Sequence, residues 1–385
     1  MTEVIFNGRQ LDKSIEAFFK HTPEISNYDK ESLFKLFTFI IRHWLTIHEI
    51  YKIQINSRNI DFNEILHIQH ILERFYAGKM VCKGDYEKRV LENFRKFENS
   101  IQLKESYPGW LMNILIQETT EGEKLAHCLN QNPAVVLRVN TLKIFRDELK
   151  TILTAKGKLV SEIDSYPDAL SINKHFNLFK SEEFHAGLFE LQDAGSQAIA
   201  PFLQTEPGMR VIDACAGNGG KTLHLSSLMA NKGKIIALDT APYKLEVLKK
   251  RMKRAGAFNI ETRPIDSSKV IKRLHNSADR VLLDVPCSGT GVLKRNPDIK
   301  YHLTEEKLHQ LNLTQYEILD KYSAMVAKGG ILVYSTCSVL KSENQKQINR
   351  FLEEKQGCFE LLAEQSISPL EGFDGFYMAR IKRTN

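Results

Sequence analysis

Asp213-Ala214-Cys215-Ala216-Gly217-Asn218-Gly219-Gly220-Lys221-Thr222 is the stretch on which the fold turns. It follows a short apolar run, Arg210 to Asp213, that reads as a strand ending in an acid. It opens a helical pattern running from Gly220 to Met229. Glycine lets a backbone approach a ligand closely, and the first turn of a helix offers unpaired N–H groups. Two readings of such a loop fail on register. A phosphate-binding Gly-x-x-x-x-Gly-Lys-Thr loop ends correctly at Gly220-Lys221-Thr222 but needs glycine where Cys215 stands. A Gly-x-Gly-x-x-Gly dinucleotide fingerprint counted from Gly217 meets Thr222 at its third glycine.

Downstream, strand and helix patterns alternate. Lys234 to Asp239, Asn259 to Ile265, Asp279 to Asp284 and Gly330 to Ser335 read as strands. Tyr243 to Ala255, Glu305 to Val326 and Glu343 to Glu354 read as helices between or after them. This beat predicts an α/β domain over residues 191–385, a parallel sheet with helices on both faces. Ligands of such sheets bind outside the carboxyl ends of the strands. Asp213, Asp239, Asp266, Asp284, Cys287 and Cys337 all fall at predicted strand ends or just beyond. Asp239, 22 residues after Gly217, is placed to hydrogen-bond the hydroxyls of a ribose. Asp266, one strand further, is placed to meet the amino group of an adenine. With the phosphate and dinucleotide loops excluded, the third ligand of this fold type, S-adenosylmethionine, remains.

Upstream, residues 1–105 carry apolar side chains at helical spacing over Ser32 to Ile50, Asn63 to Tyr76 and Tyr86 to Phe97, predicting a small helical bundle. His67 and His70 share a helix face, but no acid or cysteine cluster joins them, so no metal site is expected. Residues 106–190 change texture and predict a small α+β module. A helix runs from Gly109 to about Thr119, a strand follows over Pro133 to Asn140, a helix restarts at Thr141, and short strands are expected at 158–163 and 169–172. Basic and acidic side chains number 16 and 15 in residues 1–105, 9 and 11 in 106–190, and 28 and 21 in 191–385. The net charge of +6 therefore comes from the last part, which fits a polyanionic partner there. No apolar run approaches the roughly 20 residues that cross a bilayer, and the first residues lack the layout of a secretion signal. Six cysteines with no Cys-x-x-Cys pair read as reduced thiols of a cytoplasmic protein. Cys82, Cys128 and Cys358 are expected to be small buried hydrophobes.

The chemistry lies in Asp284-Val-Pro-Cys287-Ser-Gly-Thr-Gly291 and Ser335-Thr-Cys337-Ser338. Carbon 5 of cytosine is too electron-poor to attack a methyl sulfonium directly. A thiolate added to carbon 6 makes an enamine whose carbon 5 is nucleophilic, and a base must then take the carbon 5 proton so that the thiolate can leave. The sequence therefore needs an activated cysteine, an acid at the ring nitrogen, and a group that helps elimination. Asp284 suits the acid, and the two cysteines can divide attack and release. Enzymes that methylate amino groups carry Asp-Pro-Pro-aromatic at this strand end. Cysteine in place of the aromatic points to carbon as the target. Spacing alone does not say which cysteine attacks.

With these residues in place, the chain resembles the RsmB/Sun-type RNA 5-methylcytosine methyltransferases from about residue 106 to the C-terminus. The landmarks are Trp110-Leu111, Leu137-Arg-Val-Asn-Thr-Leu-Lys143, Leu191-Gln-Asp-Ala-Gly-Ser-Gln197, the glycine loop, both cysteine motifs, Glu343-Asn344 and Gly375-Phe-Tyr377. The resemblance implies a Rossmann-like class I methyltransferase domain with a mostly parallel seven-stranded sheet, preceded by a small α+β RNA-binding or linker module and a helical N-terminal part that is NusB-like in family members of this layout. It implies Cys337 as nucleophile, Cys287 for release and Asp284 as the acid. It further implies cofactor contacts from Cys215, Ala216, Gly217, Asn218, Gly219, Gly220 and Lys221 and at Asp239, Asp266 and Asp284. The expected cofactor is S-adenosyl-L-methionine. The expected partner is RNA, ribosomal RNA first, for a monomer away from membranes. The same chemistry on tRNA, or a catalytically silent ribosome assembly factor, are the alternatives. The family loop usually has Ala-Pro where Gly217-Asn218 stands. Lys294, Arg295 and the basic run Lys249 to Arg254 are candidates for RNA contact.

Overall fold

The helical periodicity of the first hundred residues folds as Leu11–His21, Asn27–Arg42, Trp44–Ile55, Phe62–Tyr76 and Asp85–Arg95, followed by Gly109–Glu118 and Gly122–Leu129. The computed structural model describes the chain except for residues 1–3, 5–7, 56–60, 80, 81, 83, 98 and 174–177. The described residues form two compact units, Met1–Asn132 with Leu293–Glu305, and Pro133–Val292 with Glu306–Asn385.

In the first unit Ile47, Ile50, Ile65, Ile68, Leu72 and Val90 are fully buried against one another. Each such side chain contributes roughly 1.5–3 kcal/mol by leaving water. The single helix expected over Ser32–Ile50 is two helices, parted at His43 (φ −114°, ψ 21°). No glycine or proline marks the break, which tertiary packing explains. His43 is buried with its ring against Phe39 at 4.6 Å and Tyr76 at 4.8 Å. Burial, then the charges of Lys300 and Arg42, hold its pKa well below 6.5. Residues Leu293–Glu305, read from sequence as part of the α/β domain, belong to this unit. Lys300 anchors them, its ammonium donating to Asn130 Oδ1 at 2.6 Å and to the carbonyls of Arg42, Glu105 and Ser106 at 3.2–3.3 Å.

The second unit begins with four antiparallel strands, β1 (Val135–Val139), β2 (Leu159–Glu162), β3 (Ala169–Asn173) and β4 (Phe189–Leu191), in the order β2-β3-β1-β4. The helix expected from Thr141 starts at Arg146, after a turn that Asn140 closes by accepting the Leu142 N–H. The helix buries Leu149 and Leu153 on the sheet.

The remaining strands are β5 (Arg210–Asp213), β6 (Lys234–Asp239), β7 (Ile260–Pro264), β8 (Ala278–Asp284), β9 (Val326–Thr336), β10 (Phe359–Ile367) and β11 (Phe376–Arg383). They form one seven-stranded sheet in the order β10-β11-β9-β8-β5-β6-β7. The five strands from β7 to β9 run parallel, β11 adds antiparallel to β9, and β10 adds antiparallel to β11. The chain winds outward from β5 through β6 to β7, then returns to β8 and continues the other way. The strand order therefore reverses between β5 and β8, where such sheets open a ligand crevice. Helix Glu305–Tyr322 ends four residues before the expected Val326, which instead starts β9.

The small sheet is tied to the α/β domain by buried polar contacts. Asn140 Nδ2 donates to Gly187 O and Ala255 O, both at 2.8 Å. Arg251 and Arg254 both pair with buried Glu190. Two cations of the run considered for RNA are thus structural. Lys294 is buried as well. Among the described residues no helix is long and apolar enough to cross a membrane, and no three His, Cys, Asp or Glu side chains gather as a metal site. All six cysteines are free. Cys82 and Cys358 are exposed rather than buried, because they fall in the connections before Asp85–Arg95 and before β10.

Candidate active site

The parallel strands deliver Asp213, Asp239 and Asp284 as their last residues, on one edge of the sheet. The glycine loop lies between β5 and helix Gly220–Leu228. Gly217 (φ +54°) and Gly219 (φ +84°) take left-handed backbone that other residues rarely adopt. A Cβ on Gly219 would come within 2.1 Å of Leu248 Cδ1, so the loop packs tightly underneath. A Cβ on Gly217 or Gly220 would meet nothing within 4 Å, so the same loop faces open room on its other side. Asp239 shapes this cradle, accepting the N–H of Gly217 at 2.9 Å and of Ala241 at 2.8 Å. Each of its oxygens keeps a lone pair for a ligand hydroxyl. Asp266 is exposed, two residues past Pro264, the register partner of Asp239. The cradle fits the ribose and adenine of a nucleoside cofactor. Burial and the charges of Asp213, Asp284 and Asp239 push the Cys215 thiol well above the ordinary range.

Asp284 sits beside β9 with Ser335 as its register partner. Its Oδ2 pairs with Lys221 Nζ at 2.7 Å, and Ser335 Oγ donates to its Oδ1 at 3.1 Å. Burial opposes the charge on Lys221, but Asp284 outweighs burial and the ammonium pKa is raised, with Cys337 adding to the effect. Lys221 was expected only as a cofactor-loop residue. Its side chain in fact pairs with Asp284 and interacts electrostatically with Cys337.

Cys287 and Cys337, each half-buried, bring their Sγ atoms to 3.2 Å. The loops that carry them are joined by backbone. Gly291 N–H donates to Cys337 O at 2.9 Å, and Gly375 N–H donates to Gly291 O at 2.8 Å. A Cβ on Gly291 would stand 2.3 Å from Gly375 O, which explains the glycine of Thr-Gly291. The hydrogen bond of Cys287 with Cys337, burial, the charge of Cys337 and then Glu343 push the Cys287 thiol well above the ordinary range.

Sequence reasoning gave no role to Glu343, which is fully buried and accepts hydrogen bonds from both cysteine loops. Its signal was a lone acid six residues beyond Cys337, followed by Asn344. Asn344 is buried too, donating to Ser338 O at 2.9 Å and accepting from Thr336 Oγ1 at 2.5 Å.

A glycine-rich loop after the first parallel strand, a ribose-placed acid after the second and an open carboxyl edge define a Rossmann-like methyltransferase. The comparisons agree. Residues 200–381 match the family "16S rRNA methyltransferase RsmB/F", and residues 107–178 match its "ferredoxin-like domain". The chain is 34% identical over 298 residues to a "Probable ribosomal RNA small subunit methyltransferase B" of Synechocystis, covering 72% of this chain and 67% of that one. It is 34% identical over 310 residues to the "Ribosomal RNA small subunit methyltransferase B" of Klebsiella pneumoniae, covering 78% and 70%. The crystal structure of PH0851 superposes with a TM-score of 0.80 at 25% identity, over 96% of this chain and 93% of that one. The chain belongs to the RsmB/F family of RNA methyltransferases.

Proposed function

We propose that this chain transfers a methyl group from S-adenosylmethionine to carbon 5 of a cytosine in ribosomal RNA. The observation that carries the reading is the pair of thiols at 3.2 Å beside the Asp284–Lys221 ion pair, on the carboxyl edge that also holds the glycine cradle. The names of the relatives favour ribosomal RNA as the substrate.

The cofactor supplies an electrophilic methyl on a sulfonium. Gly217 and Gly220 would leave room for it, Asp239 would accept its ribose hydroxyls, and Asp266 would meet its adenine. Cys337 attacks carbon 6 as the thiolate, and the displaced electron pair moves toward the ring nitrogen. Asp284, taking a proton from the Lys221 ammonium on its other side, donates it to that nitrogen and neutralises the charge. Carbon 5 takes the methyl, a base removes its proton, the double bond re-forms, and Cys337 leaves with its electron pair. Cys287, kept neutral as a thiol against Cys337, serves this release. The target base must be unstacked to expose carbon 6, which favours a loop or single-stranded site.

The test is incubation with methyl-labelled S-adenosylmethionine and ribosomal RNA or tRNA, followed by digestion and identification of the base. Labelled 5-methylcytosine in ribosomal RNA is the expected product. Label in tRNA alone, or on an exocyclic nitrogen, would overturn the substrate or the chemistry respectively. No label with any RNA would favour a silent assembly factor.

A further inference from the structure

We propose that Glu343 is the positioning residue of the cysteine pair, its one carboxylate setting the Cys287 loop and the Cys337 loop in register so that attack falls to Cys337 and release to Cys287. The proposal rests on the reading above and adds a residue that touches neither base nor cofactor.

Glu343 lies in the turn before helix Gln345–Glu354 and is 0% exposed. Its Oε1 accepts the Ser288 N–H at 2.7 Å and Gln315 Nε2 at 2.8 Å. Its Oε2 accepts the Ser288 hydroxyl at 2.5 Å and the Ser338 hydroxyl. Ser288 follows Cys287 and Ser338 follows Cys337, so one carboxylate grips the residue after each thiol. Gln315 Nε2 also donates to Pro286 O at 3.0 Å, one residue before Cys287. No cation pairs with Glu343 among the described residues. A buried carboxylate without a counter-ion is costly unless its lone pairs are filled, and here four donors fill them.

A neutral amide replaces it only in part. A glutamine oxygen can keep the Ser288 N–H and Gln315, but its NH₂ would force the Ser288 and Ser338 hydroxyls to turn from donors into acceptors, and the negative charge is lost. The charge also acts on the thiols. Glu343 disfavours a thiolate at Cys287, while Lys221 is among the groups that interact favourably with Cys337. The two charges bracket the pair and make it unequal.

The experiment compares wild type with Glu343→Gln in two readouts. The first is steady-state methylation. A misplacement of reacting groups on the order of 1 Å costs roughly 100-fold in rate, so kcat should fall by about that factor with KM for RNA and cofactor little changed. The second needs no RNA. Folded protein is alkylated at neutral pH with limiting iodoacetamide, and each cysteine is read by mass spectrometry. Wild type should label Cys337 at least roughly tenfold faster than Cys287. In Glu343→Gln that gap should close.

A kcat within twofold of wild type, or a lower kcat with the alkylation gap intact, would overturn the proposal, the latter marking a merely structural residue. If Glu343→Gln does not fold, Ser288→Ala and Ser338→Ala each remove one grip. Each should lower kcat by about tenfold, an effect within the range of one lost buried hydrogen bond. Wild-type turnover in both would equally overturn the proposal. If wild type shows the gap and Glu343→Gln loses it while no RNA is methylated, the proposed function has failed and the positioning role stands.

Discussion

Lys300 and Glu343 are both 0% exposed, both ionisable, and both without an ion-pair partner among the described residues. Lys300 sits in the first unit, ringed by three carbonyls, the Asn130 amide oxygen and the face of Tyr107 at 3.8 Å. Glu343 sits in the second, ringed by donors from Ser288, Ser338 and Gln315. The physical device is the same, a buried ionisable group held by fixed dipoles in place of water, with burial and then Arg42 holding the Lys300 pKa well below 10.5. The difference lies in what the dipoles belong to. Those around Lys300 come from helix ends and their connections, and its amine knots them together. Those around Glu343 come from the residues after two reactive thiols. Burial and charge do not distinguish a structural knot from a functional one; the chemistry attached to the gripping groups does.

Breaking each side of this comparison should give effects of different kinds. The largest is expected from Cys337→Ala, which removes the proposed nucleophile and should lower methylation by on the order of 10³-fold or more without changing the melting temperature. Next is Lys300→Met. It takes the ammonium donor from the carbonyls of Arg42 and Ser106 and from the Asn130 amide oxygen, while Glu105 O keeps Asn130 Nδ2, and should cost roughly 3–5 kcal/mol in urea unfolding of the full chain. Turnover per folded molecule should be unchanged, and a loss of turnover would erase the distinction between the two buried charges.

A smaller, pH-dependent effect sharpens the contrast. Asp213 is also a buried carboxyl, but it is held by little more than the Thr222 hydroxyl, at 2.7 Å, and the Cys215 backbone, and its Oδ1 finds no hydrogen-bond partner among the described residues. Burial first, then Asp284, raise its pKa to about 7. Between pH 4 and 7 the folded chain keeps this proton while the unfolded chain loses it, so stability from this group falls as pH rises. Asp213→Asn removes the dependence, and its stability relative to wild type should grow by roughly 2–4 kcal/mol from pH 4 to pH 8. His224, lowered to about 4 chiefly by burial, gives the opposite slope in both proteins and cancels in the difference. At the small end, Lys249→Ala removes an exposed pair with Glu246 and should shift stability by no more than about 0.5 kcal/mol.

The parallel core of the sheet was legible because β5, β6 and β8 are apolar runs that each stop at an acid, and a fold rule puts those stops on one edge. The antiparallel pair β10 and β11 was not read from its residues. β10 alternates with charged positions, as in Phe-Glu-Leu-Leu-Ala-Glu, and forms an exposed sheet edge whose pattern is shared by surface helices and loops. The division of Ser32–Ile50 at His43 was hidden for another reason, since ring packing and not a breaker residue ends the first helix. At the site, the acids and both cysteines were readable from spacing. The pairing of Lys221 with Asp284, 63 positions apart, was not. Nor was the grip of Glu343 on Ser288, 55 positions apart. Contacts of that range leave no periodic trace in the chain.

The account turns on two thiols that share one methyl transfer, and trapping their intermediate tests it most directly. Cys287→Ala should be incubated with ribosomal RNA and S-adenosylmethionine, resolved under denaturing conditions, and the RNA-linked peptide sequenced by mass spectrometry. The expected result is a covalent adduct joining Cys337 to a 5-methylated cytosine. An adduct on any other residue, or methylated cytosine released freely with no adduct, would contradict the division of labour between Cys337 and Cys287.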